Sequence, residues 1–191
     1  MTTTLPEQVG QLRYSRLAIN QLGIWLFFAS ETFLFGALIS TRFYLRGFET
    51  PEHVEPLLGL ALTIVLLCSS FSAYRSELAI AEGDHRGFIR YLLATILLGS
   101  AFLVGVGYEW YDAFEHFPPS TPFGTVFFTL TGIHATHVAS GVVMLWMVFF
   151  LGRKQGRWSA DGYWGVEGVI KYWHFVDVAW VFIYPTLYLL G

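Results

Sequence analysis

Five apolar runs, each near the length that crosses a bilayer, constrain this chain more than any other feature. They read as about Gly23–Tyr44, Leu57–Tyr74, Phe88–Gly107, Phe123–Leu151 and Val169–Leu190, against the roughly 20 residues a helix needs to cross hydrocarbon. No water is available in that layer to satisfy backbone groups, so each run is predicted as a helix. The expected fold class is all-α, a polytopic membrane bundle of five transmembrane helices. Charged residues make up only 13% of the chain, about half of the ~25% usual for soluble domains. A net charge of −3 leaves no basic face for nucleic acid. Residues 1–22 hold no apolar secretory core and read as a polar arm, and 23–191 as one five-helix domain. The single cysteine, Cys68, lies inside the second run. It supports neither a disulfide framework nor a thiolate cluster and is expected to be a small buried residue.

Basic residues set the predicted orientation. The arm holds Arg13 and Arg16, the second connection Arg75, Arg86 and Arg90, and the fourth Arg153, Lys154, Arg157 and Lys171, whereas the opposite side holds only Arg42 and Arg46. By the positive-inside rule the amino terminus is cytoplasmic and the carboxyl terminus external.

An ionisable group at mid-membrane costs roughly 2.5–3.5 kcal/mol on insertion scales, so each one needs a reason. Glu31 lies eight residues past Gly23 on a face with Phe27, Phe35 and Leu38. It is either a carboxyl group hydrogen-bonded to a neighbouring helix or a proton-exchanging site. His134 and His137 are three residues apart and share a face with Gly141. Gly132, Ala135, Thr136, Ala139 and Ser140 form a small-residue face that admits close helix approach. These histidines are expected to be packing residues directed at protein, because His53, His85 and His116 read as loop residues and no ligand cluster emerges. In the fifth run Glu167, Lys171, His174 and Asp177 fall on one arc bordered by Trp173, Trp180 and Tyr184. Glu167 and Lys171 form an i,i+4 pair, and His174 and Asp177 an i,i+3 pair able to hydrogen-bond. The stripe reads as a polar seam between helices. Glu109, beside Trp110 and Tyr111, reads as an interfacial residue in an aromatic belt.

Four of these stretches together resemble the third subunit of haem-copper oxidases, cytochrome c oxidase subunit III. They are "WLFFASETFLF", "GYEWYDA", "FGTVFFTLTGIHATHVASG" and "VEGVIKYWHFVDVAWVFIYPTLYLLG". The resemblance runs from about Gly23 to the carboxyl end. Mitochondrial-type members carry two further amino-terminal helices, so the likeness is to a bacterial five-helix form. It implies a subunit of the bacterial inner membrane that binds no haem, copper or other metal itself, those centres lying in partner subunits. It further implies direct packing on subunit I, with subunit II in the same complex, bound phospholipid, protection of the catalytic subunit, and support of proton uptake in an enzyme that passes electrons from cytochrome c to dioxygen. Glu31 maps to the family's carbodiimide-reactive carboxyl group. Contacts with a partner or with lipid are expected at Glu109, Trp173, Trp180 and Arg153.

Rival readings share parts of the same pattern. A quinol oxidase subunit tends to show Ser-Asp in place of Ser30-Glu31 and Phe-Trp-His in place of Tyr172-Trp173-His174. A nitric-oxide-reductase accessory protein shares the superfamily. A self-contained redox enzyme would use His134 and His174 as haem ligands, and a transporter would show broken helices and repeat symmetry.

Overall fold

The computed structural model describes residues 15–46, 54–153, 158 and 162–190. Five α-helices carry almost all of it: α1 (Arg16–Arg46), α2 (Pro56–Ala81), α3 (His85–His116), α4 (Pro122–Gly152) and α5 (Trp164–Tyr184). The described part of the arm is thus largely helical, because α1 starts at Arg16, ahead of the apolar run. His85 and His116, expected in loops, are the first and last residues of α3, and His53 lies outside the described residues. α1 to α4 are long and apolar enough to cross a membrane. α5 does not meet that standard, since much of its bulk is Trp and Tyr and it carries Glu167, Lys171 and Asp177.

The helix ends follow local chemistry. Pro56 and Pro122 open α2 and α4, where a missing N–H costs nothing. Asp84 caps α3 by accepting from the Gly87 amide at 3.0 Å, and Thr121 caps α4 by accepting from Gly124 at 3.0 Å. The turn from α2 to α3 needs Gly83, whose φ of 79° an L side chain rarely adopts. After Tyr184 the helix widens into a π turn over Pro185–Leu189, closed by the Leu190 amide on the Pro185 carbonyl at 3.0 Å. Pro185 has no amide hydrogen for the normal i→i−4 bond, so the break falls there.

α2 packs on α3 and α5, and α4 packs on α3, α5 and α1. α4 is therefore flanked on several sides, but by the face carrying Leu130, His134, Val138 and Gly141; the small-residue face expected to admit a helix is not buried, and Thr136 and Ser140 on it are exposed. The bundle is inside-out by the standards of a water-soluble protein: Phe33 is 80% exposed, Val104 73% and Phe71 66%. Such a continuous apolar exterior suits lipid. Hydroxyls within the helices are satisfied locally, as when Thr32, Thr95 and Thr131 each bond the carbonyl four residues back.

Candidate functional site

Two of the interfaces that hold polar side chains are α2 with α5 and α1 with α4. Along the first, α5 runs antiparallel to α2. Trp180 Nε1 donates to Thr63 Oγ1 at 2.9 Å, Trp173 Nε1 donates to Ser69 Oγ at 3.0 Å, and His174 Nδ1 lies 2.6 Å from Ser70 Oγ. One end of the register is closed by Gly59 beneath Tyr184 and Tyr188. At the other end Glu77 of α2 is within electrostatic reach of Glu167 and Lys171. Glu167 and Lys171 form the expected intrahelical ion pair, with the Lys171 ammonium 5.4 Å from the Trp164 ring centroid.

The expected His174–Asp177 bond is not made. His174 takes the Ser70 hydroxyl across the interface, and both Asp177 carboxylate oxygens are buried with no hydrogen-bond partner among the described residues. A neighbour on the same helix loses here to a hydroxyl that packing delivers from α2. The partner or lipid contact expected of Trp173 and Trp180 finds no surface in this chain, since each is 1% exposed. Their N–H groups need a partner when buried, and the α2 hydroxyls supply it. Gly141 and Gly99 make room for Trp173: a Cβ at Gly141 would lie 2.8 Å from Trp173 Cε3.

At the second interface, Glu31 Oε2 of α1 lies 3.1 Å from His137 Nε2 of α4. The other ring nitrogen, His137 Nδ1, lies 2.8 Å from the Ile133 carbonyl oxygen. A carbonyl only accepts, so Nδ1 carries a hydrogen. Nε2 then either accepts from a neutral carboxylic acid or, as imidazolium, donates to a carboxylate. In both cases one proton lies between Glu31 and His137. Each side chain is 17% exposed, so the pair borders the surroundings without being open to them. His134 diverges from His137 and enters the core, with no partner on either ring nitrogen among the described residues. It is boxed by Trp180, Phe102 and Phe35 with centroids at 4.9, 5.7 and 6.3 Å.

Glu109, expected in an interfacial belt, is 7% exposed and accepts from the Tyr188 hydroxyl at 2.9 Å. The π turn at Pro185 carries Tyr188 inward to it. Arg153 is exposed, 6.0 Å from the Phe149 ring centroid. Cys68, expected to be buried, lies on the exposed side of α2. Sequence reasoning passed over the α2 hydroxyls, although Thr63 and Ser70 are two helical turns apart within an apolar run. It also passed over Arg42, which is fully buried against the Phe123 ring with Nη2 3.4 Å from the Leu190 carbonyl. Its signal was position, as one of two basic residues on the sparse side. Among the described residues no three of His, Cys, Asp and Glu gather as a metal site would require. Apolar clefts flank α1, two of them shared with α5. One of about 270 Å³ runs along Phe35, Gly36 and Phe182, and one of about 500 Å³ lies between Ile24, Met144 and Gly168.

Residues 14–191 match the family model described as cytochrome c oxidase subunit III. The chain is 33% identical over 174 residues to cytochrome c oxidase subunit 3 of Thermostichus vulcanus, covering 88% of this chain and 86% of that one. It is 32% identical over 195 residues to the corresponding protein of Corynebacterium diphtheriae, covering 97% and 94%. It is also 34% identical over 187 residues to the probable quinol oxidase subunit 3 of Staphylococcus aureus, covering 91% and 90%.

Proposed function

This chain belongs to the cytochrome c oxidase subunit III family and is a membrane subunit of a haem-copper oxidase, and from that premise we propose that it supports the oxidase without itself carrying electrons. In this reading it spans the bacterial plasma membrane five times, with its amino terminus cytoplasmic. It packs against the haem-copper subunit I, with subunit II in the same complex, and haem and copper stay in those partners. The holoenzyme takes electrons from cytochrome c and couples the reaction to proton translocation. Phospholipid acyl chains fill the apolar clefts beside α1.

The fifth span is supported by the register of α5 against α2, which keeps contact from Gly59 beside Tyr184 to Ser70 beside His174. α5 thereby lies alongside a helix that is itself long and apolar enough to cross the slab. Orientation is supported by the basic residues Arg16, Arg75, Arg86, Arg90, Arg153 and Lys171, which lie near the helix ends at one side of the bundle.

The observation that carries the functional reading is the Glu31–His137 pair. A carboxyl group and an imidazole sharing one proton at the lipid edge of a bundle can load and release it as a unit, as a proton-exchange site requires. The test is Glu31→Gln in the assembled oxidase. The amide keeps the shape and a hydrogen bond to His137 but cannot exchange the proton. Assembly is expected to persist while turnover at alkaline pH falls and the enzyme inactivates in fewer turnovers. Rates and inactivation half-life equal to those of the unmodified oxidase would refute the role.

A further inference from the structure

Where α3 begins and α4 ends, His85, Arg86, Arg90 and Arg153 surround an open pocket of about 490 Å³. No guanidinium of the three is in an ion pair among the described residues, whose pairs are His116–Asp112, His137–Glu31 and Lys171–Glu167. The two acids nearest in sequence form no ion pair with these guanidinium groups. Asp84 is turned to the Gly87 amide as the α3 cap, and Glu82 points out from the turn, exposed. Guanidinium forks of this kind match phosphate oxygens in bidentate geometry.

The surface beside the pocket identifies which phosphate. Arg86, Arg90, Leu93 and Leu97 follow one another along a single stripe of α3 running away from the pocket, and Leu97 is 60% exposed. On α4, Phe150 shares a face with Arg153 at i,i+3 spacing and is 59% exposed. A charged rim thus continues directly into bare apolar surface on membrane-length helices. A lipid would use both parts, with its phosphate in the pocket and acyl chains along the stripe, whereas a soluble anion would use only the rim. Basic pockets at helix ends bind acidic lipid headgroups by this combination.

We propose that His85, Arg86, Arg90 and Arg153 form a headgroup site for an anionic phospholipid, at a place in the bundle separate from the clefts beside α1. The test titrates delipidated oxidase containing the full chain with phosphatidylglycerol and counts bound lipids by native mass spectrometry. Arg86→Gln with Arg90→Gln is expected to weaken one bound lipid by about thirtyfold, at about fivefold per charge removed, and Arg153→Gln by about fivefold. These residues are exposed, so the subunit should stay in the complex, which the same spectra verify. Phosphatidylcholine is expected to bind wild type and variants alike. Arg75→Gln, whose guanidinium lies over Tyr91 and outside the pocket, is expected to bind phosphatidylglycerol normally. The proposal fails if the double variant retains wild-type affinity, or if Arg75→Gln loses as much. It also fails if millimolar inorganic phosphate displaces the lipid, which would assign the pocket to a soluble anion.

Discussion

The α2–α5 interface and the seat of α1 solve the same problem by opposite means. Between α2 and α5, the Trp173 and Trp180 N–H groups each find an α2 hydroxyl, and the Trp173 ring is seated on Gly99 of α3 and Gly141 of α4. α1 instead leaves most of its surface outside, with Trp25 and Leu26 both more than 60% exposed. It is joined by a few directional contacts. These are the Glu31–His137 pair, Phe28 stacked on Phe175 at 4.8 Å, and buried Arg42 reaching the Leu190 carbonyl. Lipid tails are as apolar as leucine, so burying leucine surface gives little drive for helix association in a bilayer; close packing and hydrogen bonds provide it instead. The α2–α5 interface relies on packing with hydrogen bonds as support, and α1 relies on a handful of specific contacts. A helix held that way can respond when one contact changes, which suits a proton-exchanging carboxyl group.

The contrast breaks most visibly at Trp173. Trp173→Ala should cost about 3–5 kcal/mol through the cavity it leaves, read as loss of helical circular dichroism at lower denaturing detergent. If that midpoint held, indole packing would not be what fixes α5 to α2. Adding volume is the next largest effect. Gly141→Val drives a side chain into the Trp173 ring and should cost about 1–3 kcal/mol, with the same measurement as judge.

Hydrogen bonds contribute less. Ser70→Ala removes the His174 partner and should cost about 1 kcal/mol, whereas Asp177→Asn, which breaks no hydrogen bond among the described residues, should leave the midpoint unchanged or raised. A larger loss from Asp177→Asn than from Ser70→Ala would mean that the carboxylate, not the hydroxyl, anchors this seam. The smallest global effect is expected at α1. Glu31→Gln should move overall stability by under ~1 kcal/mol yet speed amide hydrogen exchange in α1 alone. Faster exchange spread over α2 and α5 would show that α1 is not a separately held element.

Much of this organisation is readable from residue order because it rests on local rules. Five apolar runs became five helices, and Glu167 with Lys171 paired as their spacing allows. Helix ends ran past the apolar runs, since Asp84 and Thr121 cap turns that lie outside the hydrophobic stretches. The candidate site was only half legible. Glu31 and His137 stand out separately as polar groups in apolar runs, but 106 positions part them, and no periodicity links α1 to α4. A helix brings His174 and Asp177 together at i and i+3, but backbone proximity does not fix a side-chain rotamer. Glu109 looked interfacial from its Trp and Tyr neighbours; burying it took the π turn at Pro185, which swings Tyr188 toward it.

Sequence alone determined that this chain is a bundle of membrane-length helices, which segments they are, and which few ionisable groups enter them. Those outcomes follow from apolar length and the cost of exposing backbone to hydrocarbon, and each is settled within about 20 neighbouring residues. Tertiary structure alone decided which polar groups meet. It set Ser70 rather than Asp177 against His174, Glu31 against His137, and Arg42 beneath the end of the chain. Partner choice between helices depends on the depth and rotation at which they dock, and those are set by ring and glycine packing across segments far apart in the chain.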